Sequence, residues 1–133
     1  MTGENKRANA AAELARCDES LRAARLLIDA DLLSDAESRL YYAAYHAVVA
    51  LLLTQELEPR SHAGVTQMLG LHFVKTGRLS ADDARLFARL QKYRLEADYS
   101  TAFVLTKPAL EEDFSACSAL VERIRRVVAA DLK

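Results

Sequence analysis

The sequence predicts an all-α protein, a five-helix up-and-down bundle. Glycine and proline are scarce, four and two among 133 residues, so the chain has few places to turn. Apolar residues recur at spacings of three and four, which is typical of amphipathic helices. After its first residue, the stretch Arg39–Leu53 is apolar or tyrosine except for His46. Such a helix is normally buried on all sides, so we expect it to lie at the centre of the bundle.

The composition indicates an ordinary globular chain. Apolar residues make up 51%, charged residues 28%, and the net charge is −1, which excludes a chain that is basic throughout. The length fits a single domain, 1–133. The longest apolar run is shorter than the roughly 18 residues that a membrane-spanning helix needs. The N-terminus has no signal pattern, and two distant cysteines do not form a disulfide framework. We expect a soluble, reduced, cytoplasmic protein.

An apolar stripe predicts the first helix, and a capping pattern predicts the start of the second. The first helix is predicted from about Lys6 to Ala30, with one apolar stripe along it: Leu14, Cys17, Leu21, Ala24 and Ile28. Ser34 with Glu37 three residues later is a capping-box pattern and predicts the start of the central helix. That helix should continue to about Glu56.

The third helix is predicted after Ser61, which can cap it, and should end at Gly77. Its apolar face is carried by Val65, Met68, Leu69, His72 and Phe73. Gly70 inside it costs about 1 kcal/mol relative to alanine, which makes this the weakest helical pattern of the five.

The last two helices have clear starts. Ser80 caps the fourth, whose stripe is Phe87, Leu90 and Tyr93, backed by Leu86 and Ala97. Thr106 followed by Pro108 starts the fifth. Its stripe has near-heptad spacing: Leu110, Phe114, Cys117, Val121, Ile124 and Val128. Because Cys17 and Cys117 both fall on apolar stripes, we expect them to be buried.

No metal or cofactor site is predicted. The three histidines lie on different elements, and the sequence contains no paired metal-ligand motif and no glycine-rich phosphate loop. On the central helix, Arg39, Tyr42 and His46 share one face. They either hydrogen-bond within the bundle or meet a second subunit.

The fourth helix carries the strongest hint of a polyanion partner. Arg85, Arg89 and Lys92 form a basic stripe opposite its apolar face, and seven basic residues between Arg60 and Arg94 outnumber two acidic ones. This stripe is either a nucleic-acid contact or a solvated face. Near the end of the helix, Arg94 and Asp98 are one turn apart. The two residues either form an intrahelical ion pair, or Arg94 is free to contact phosphate, with the Asp98 carboxylate and the Tyr99 hydroxyl beside it.

Four stretches together resemble the HEPN domain family (higher eukaryotes and prokaryotes nucleotide-binding), in its small, single-domain prokaryotic branch. They are Ser38–Ala47 in the central helix, Ser61–Val65, Phe73–Gly77 and Arg94–Tyr99. The resemblance spans roughly residues 21–99, and the predicted fifth helix also fits the architecture of the family.

The resemblance implies a helical bundle that forms a homodimer and is paired with a minimal nucleotidyltransferase as a toxin–antitoxin system. It also implies engagement of RNA or a nucleotide. Many members look like metal-independent endoribonucleases whose motif is an arginine, four to six residues and a histidine. The alternative is a catalytically inactive dimeric module that binds the nucleotidyltransferase.

The sequence departs from that motif at Tyr99, which stands where the histidine would follow Arg94. Tyrosine, with a reference pKa near 10, is a poor base near neutral pH. Arg39 and His46 satisfy the spacing formally, but in the second helix rather than the late helix that carries the family motif. Arg94, Asp98 and Tyr99 are therefore the expected catalytic site, and Tyr99 is an alternative target for modification by the nucleotidyltransferase.

Overall fold

A computed structural model of the protein describes residues 3–99 and 104–133. Within these ranges the chain forms five α-helices and one short π-helical segment, and no strand. The elements are α1 (Gly3–Asp29), α2 (Leu33–Leu53), α3 (His62–Leu69), the π segment (Gly70–Val74), α4 (Ala81–Tyr99) and α5 (Lys107–Asp131). The predicted all-α fold with five helices is confirmed. No helix in the described ranges has the length and apolar content needed to cross a membrane.

Helix α2 is the centre of the molecule, as its apolar sequence predicted. It packs against α1, α3, α4 and α5. Its buried residues lie on the faces that these helices cover: Ala36, Glu37, Leu40, Tyr41, Ala43, Ala44, Ala47, Val48, Ala50, Leu51 and Leu52. The prediction of burial on every side was too strong. One stripe stays partly exposed, Tyr42, His46, Val49 and Leu53, with the exposed Arg39 at its start.

The predicted capping box at Ser34 is wrong. Helix α2 begins at Leu33, and its N-cap residue, Leu32, makes no side-chain hydrogen bond. The tight turn from α1 places Ser34 inside the first turn of α2. Glu37, the expected partner of Ser34, is fully buried instead, and neither carboxylate oxygen makes a hydrogen bond.

Helices α1 and α2 are each followed, within three residues, by a residue with left-handed backbone angles that is not glycine. Asp31 has φ 61° and Glu56 has φ 58°. The residue after each donates its amide to a carbonyl five positions back, Leu32 to Leu27 at 2.9 Å and Leu57 to Leu52 at 3.0 Å. These are Schellman-type ends. They explain why α2 stops at Leu53 rather than near Glu56.

The remaining capping predictions are confirmed. Ser61 Oγ accepts a hydrogen bond from the Gly64 amide at 2.9 Å, and Thr106 caps α5. Ser80 and Asp83 cap α4 reciprocally, with the Asp83 amide 3.1 Å from Ser80 Oγ and the Ser80 amide 3.0 Å from Asp83 Oδ2. Gly77, with φ 81°, ends the third helical stretch as predicted.

The predicted core stripes pack together around α2. Phe87 and Leu90 of α4 are buried, although Tyr93 is only half-buried, and the α5 stripe is buried except for the half-buried Phe114. Cys17 and Cys117 are buried and unbonded to each other, as expected. Burial raises the pKa of the Cys17 thiol to about 12, so this thiol stays protonated and unreactive at neutral pH.

Candidate functional site

A layer of aromatic rings lines the partly exposed side of α2. We call it the aromatic cluster: Tyr41, Tyr42, Tyr45 and His46 of α2 with His62 of α3. The His62 ring stacks on Tyr45 with centroids 4.6 Å apart, and the Tyr41 and Tyr42 rings meet edge to face at 5.3 Å. Tyr42 is also 6.4 Å from the His46 ring. Because the contacts are continuous, the five rings form a single cluster, in which Tyr41 is buried.

Arg94 of α4 lies over this cluster. Its guanidinium carbon is 5.2 Å from the Tyr42 ring centroid and 5.8 Å from that of Tyr41, within cation–π range. The Arg94 side chain is 20% exposed, and its Nε lies 3.4 Å from Asp98 Oδ2. That Nε is buried and makes no hydrogen bond. Because that Nε is covered, only the terminal Nη donors of the guanidinium could bind a phosphate oxygen.

His62 is the first residue of α3, directly after the capping Ser61. Its Nδ1 is 2.6 Å from the Tyr41 hydroxyl oxygen. Burial, with the positive charge of Arg94 added, lowers the pKa of His62. The imidazole is therefore neutral at neutral pH. His62 was not predicted as a site residue, and the only signal for it was its place in a stretch that resembles the family.

The buried tyrosines of the cluster stay protonated. Burial, reinforced by Tyr45, raises the pKa of the Tyr41 hydroxyl, and burial with the nearby Glu13 charge raises the pKa of Tyr45. Both phenols can therefore stack and hydrogen-bond, but they are not bases at neutral pH.

The secondary candidates divide between two environments. Tyr42 and His46 belong to the aromatic cluster, and His46 Nδ1 is 2.7 Å from Glu13 Oε2 of α1. This contact favours the interpretation that His46 hydrogen-bonds within the bundle. Arg39 is exposed and lines an open cleft of about 390 Å³ between α1 and α2, together with Arg16, Glu19, Ser20, Ala23 and His46.

The predicted basic stripe on α4 is partly neutralised. Arg85 pairs with Asp82 on the same helix, and Arg89 Nη2 is 2.6 Å from Asp113 Oδ1 of α5. Lys92 is exposed and pairs with no acidic group among the described residues. The acidic partner of Arg89 comes from another helix, which the α4 sequence alone could not indicate.

Asp98 and Tyr99 close α4. The Asp98 carboxylate faces Arg94, while the Tyr99 side chain is 79% exposed and has no ring contact with the aromatic cluster among the described residues. Arg94 and Asp98 are thus brought together, whereas the Tyr99 hydroxyl is open to solvent. In the part of the chain that the structure describes, no group of three or more histidine, cysteine or acidic side chains could hold a metal ion.

The fold and the site define a class: small all-α domains with an arginine from a late helix packed on an aromatic central helix. The chain belongs to the HEPN family, since the HEPN domain model matches residues 10–131. The resemblance read from the sequence is therefore confirmed.

Three relatives cover most of this chain. A protein of Methanocaldococcus jannaschii named as a putative toxin is 39% identical over 114 residues, 84% of this chain and 82% of that relative. A second protein of that organism, also named as a putative toxin, is 33% identical over 96 residues, 72% of this chain and 65% of that relative. A Thermotoga maritima protein named UPF0332 is 29% identical over 118 residues, 89% of each chain.

Proposed function

We propose that the protein is the toxin-like member of a pair with a minimal nucleotidyltransferase, and that it cleaves RNA without a metal ion at a site centred on Arg94. The observation that carries this proposal is the Arg94 guanidinium, which lies over the aromatic cluster on a side chain that is 20% exposed. The names of the two Methanocaldococcus relatives support the toxin assignment.

The surroundings of Arg94 suit a single-stranded RNA segment. A guanidinium binds phosphate oxygens in a forked geometry and can stabilise the charge that builds up on phosphorus during cleavage. Aromatic rings beside it offer platforms on which bases stack without regard to sequence. The 2′-hydroxyl of RNA supplies the nucleophile, so this chemistry needs no metal ion.

The proposal includes a homodimer in which two copies of Arg94 face a shared cleft. It is supported by exposed apolar area at the end of α4, where Leu95 is 44% and Tyr99 79% exposed. Tyr99 is also the proposed target of the nucleotidyltransferase, because an exposed hydroxyl at a helix end is accessible to a second enzyme.

The test is RNA cleavage in EDTA, with tRNA and total RNA as substrates. Removing a cation that stabilises the transition state costs about 10²–10³-fold, so we expect Arg94→Ala to lose that much activity. Arg22→Ala, at an exposed arginine of α1, is the matched control and should cleave normally. Tyr99→Phe tests whether the hydroxyl of Tyr99 takes part. Cleavage that survives both Arg94→Ala and Tyr99→Phe would rule out this site.

The second candidate is an inactive dimeric module that binds the nucleotidyltransferase. It is favoured by the tyrosine, Tyr99, that stands where the motif histidine would follow Arg94. RNA binding that weakens with salt, is lost in the double variant Arg85→Ala/Arg89→Ala and is never followed by cleavage would support this candidate.

A further inference from the structure

Arg94 and His62 reach the same tyrosine from two different helices. The Arg94 guanidinium lies over the Tyr41 ring at 5.8 Å, and His62 Nδ1 is 2.6 Å from the Tyr41 hydroxyl oxygen. The two residues also interact electrostatically, since the charge of Arg94 acts on the imidazole. An arginine and a neutral histidine therefore share one partly exposed aromatic surface, although they lie far apart in sequence.

We propose that His62 is the catalytic base of this site, taking the proton from the ribose 2′-hydroxyl while Arg94 holds the adjacent phosphate. The inference rests on the proposed RNA cleavage and adds the residue that moves the proton. It assigns to α3 the task that Tyr99, at the end of α4, is chemically unsuited to perform.

The environment of His62 suits a base. Stacking on Tyr45 and the contact with Tyr41 fix the orientation of the ring. When Nδ1–H donates to the Tyr41 hydroxyl oxygen, Nε2 keeps its lone pair and can accept a proton. Tyr41 is then a positioning residue that holds the His62 ring in place.

The other two histidines lack this combination. The Nδ1 atom of His46 is held 2.7 Å from the Glu13 carboxylate, and the His46 side chain is only 17% exposed. His72 is exposed on the π segment and has no ring or ion-pair contact in the described structure. His62 combines the orienting contact with Tyr41 and the nearby charge of Arg94.

The reaction is an internal transesterification. The 2′-oxygen forms a bond to phosphorus as its proton passes to His62 Nε2, and the bond from phosphorus to the 5′-oxygen breaks. Water protonates the departing 5′-oxygen, and the resulting hydroxide takes the proton back from the imidazolium. The products are a 2′,3′-cyclic phosphate and a 5′-hydroxyl, and no oxidant, reductant or metal is consumed.

The experiment measures cleavage rate against pH for the full chain. A positioned general base contributes about 10²–10⁴-fold, so His62→Asn should lower the rate by at least about 100-fold. His72→Ala is the matched control and should keep the wild-type rate. Cleavage by the wild type should require the 2′-hydroxyl, so RNA with a 2′-deoxy residue at the cut site should remain intact.

The pH profile distinguishes proton transfer from a structural role. The groups facing His62 are Tyr41, Tyr42 and Tyr45 of α2 and Arg94 of α4. Because the pKa of His62 is lowered, the wild-type rate should rise with pH with its midpoint below about pH 6.5, and it should be level by pH 8. The residual rate of His62→Asn should lack that step, and added imidazole should restore part of the rate of His62→Ala.

Folding and binding are followed in parallel, using thermal unfolding and affinity for the 2′-deoxy RNA. Tyr41→Phe keeps the ring and removes the hydroxyl, so it should bind RNA normally and cleave about 10-fold more slowly, because the His62 ring loses the hydrogen bond that orients it. If His62→Asn unfolds, the role of His62 is tested by Tyr41→Phe and by the wild-type pH profile. A wild-type cleavage rate that does not rise with pH overturns the proposal.

Failure of this inference is separable from failure of the proposed function. If the wild type cleaves and Arg94→Ala does not, but His62→Asn cleaves within about threefold of the wild-type rate, His62 is not the base and the Arg94 site stands. A His62→Asn variant that cleaves slowly, but whose rate still rises with pH as the wild-type rate does, overturns the inference in the same way. Wild-type protein that binds RNA without cutting it overturns the inference and favours the binding module. Wild-type protein that neither binds nor cuts RNA overturns both the inference about His62 and the proposed RNA cleavage.

Discussion

At the scale of single residues, Glu37 is the most unusual side chain in the interior. It is fully buried on α2, and neither carboxylate oxygen has a hydrogen-bond partner. Burial, reinforced by the charge of Asp113 and opposed by that of Arg89, raises its pKa to about 8. Below that pH the folded protein therefore holds a neutral carboxyl group. An unpaired buried carboxylate is costly, so folding becomes less favourable as Glu37 ionises.

We predict that Glu37→Gln stabilises the protein at alkaline pH. Because the folded pKa of Glu37 is raised, its contribution to stability is complete below its unfolded pKa and is lost as pH rises towards 8. The loss is on the order of 3 kcal/mol between pH 5 and pH 8, and the glutamine variant should not show it.

Urea unfolding of both proteins at pH 5, 6, 7 and 8 measures this difference. Glu112→Gln, at an exposed position of α5, is the control and should follow the wild type. Parallel pH profiles for the wild type and Glu37→Gln would show that the Glu37 carboxyl group does not carry the penalty.

At the scale of elements, the third helical stretch changes its winding. Helix α3 ends at Leu69, and the chain continues as the π segment, where the Lys75 amide bonds the Gly70 carbonyl at 2.9 Å. The wider turn places Phe73 in the core while Leu71 remains 53% exposed. The apolar spacing predicted a single helix with His72 on its apolar face, but the extra residue of the π turn shifts the register, and His72 is exposed instead.

Two glycines of this stretch should respond oppositely to alanine. Gly70 has helical backbone angles, φ −61° and ψ −48°, and a Cβ there would meet no atom within 4 Å. Gly70→Ala should therefore stabilise the protein by about 0.5–1 kcal/mol, because it restricts the unfolded chain. Gly77 has φ +81°, which alanine adopts at a cost, so Gly77→Ala should destabilise the protein by about 1 kcal/mol.

Thermal unfolding of the two variants checks this pair against the wild type. A lower melting temperature for Gly70→Ala would mean that the π segment needs glycine for a reason other than space. An unchanged temperature for Gly77→Ala would mean that the turn relaxes at no cost.

At the scale of the whole molecule, the last helix closes the bundle through side chains from distant segments. Asp131 Oδ2 accepts hydrogen bonds from Thr54 Oγ1 at 2.9 Å and Gln55 Nε2 at 3.1 Å, and its other oxygen pairs with Arg78. Burial alone would raise the pKa of Asp131, but these hydrogen bonds outweigh it and the pKa is lowered. The end of α5 thus ties the end of α2 to the connection that precedes α4.

The proposed dimer is a prediction about the whole assembly. We expect sedimentation to give twice the chain mass of 14.7 kDa. Leu95→Glu should shift the protein towards monomer, because it places two carboxylates in an apolar interface and removes the burial of leucine. Leu26→Glu, at a leucine of α1 that is 70% exposed, is the control and should remain dimeric. A monomeric wild type, or a dimer disrupted only by Leu26→Glu, would contradict the proposed arrangement.

Much of the fold could be predicted because its determinants are local. The apolar stripes of α1, α4 and α5 and the caps Ser61, Ser80 and Thr106 act within a few residues, so their sequence patterns predict the elements directly. The same reasoning failed where a local pattern had a tertiary competitor. Glu37 matched a capping box but lies on a face of α2 that other helices cover, and the helix ends at Asp31 and Glu56 use left-handed residues without glycine.

The sequence by itself determined the helices, most of their boundaries, the central place of α2 and the position of Arg94 near the end of α4. Only the tertiary structure decided which groups meet: His62 with Tyr41 near Arg94, Arg89 with Asp113, and His46 with Glu13. The reason is physical. Helical periodicity sets which side of a helix faces inward, whereas the angle and register at which two helices pack decide which side chains touch, and no stretch of either helix alone contains that information.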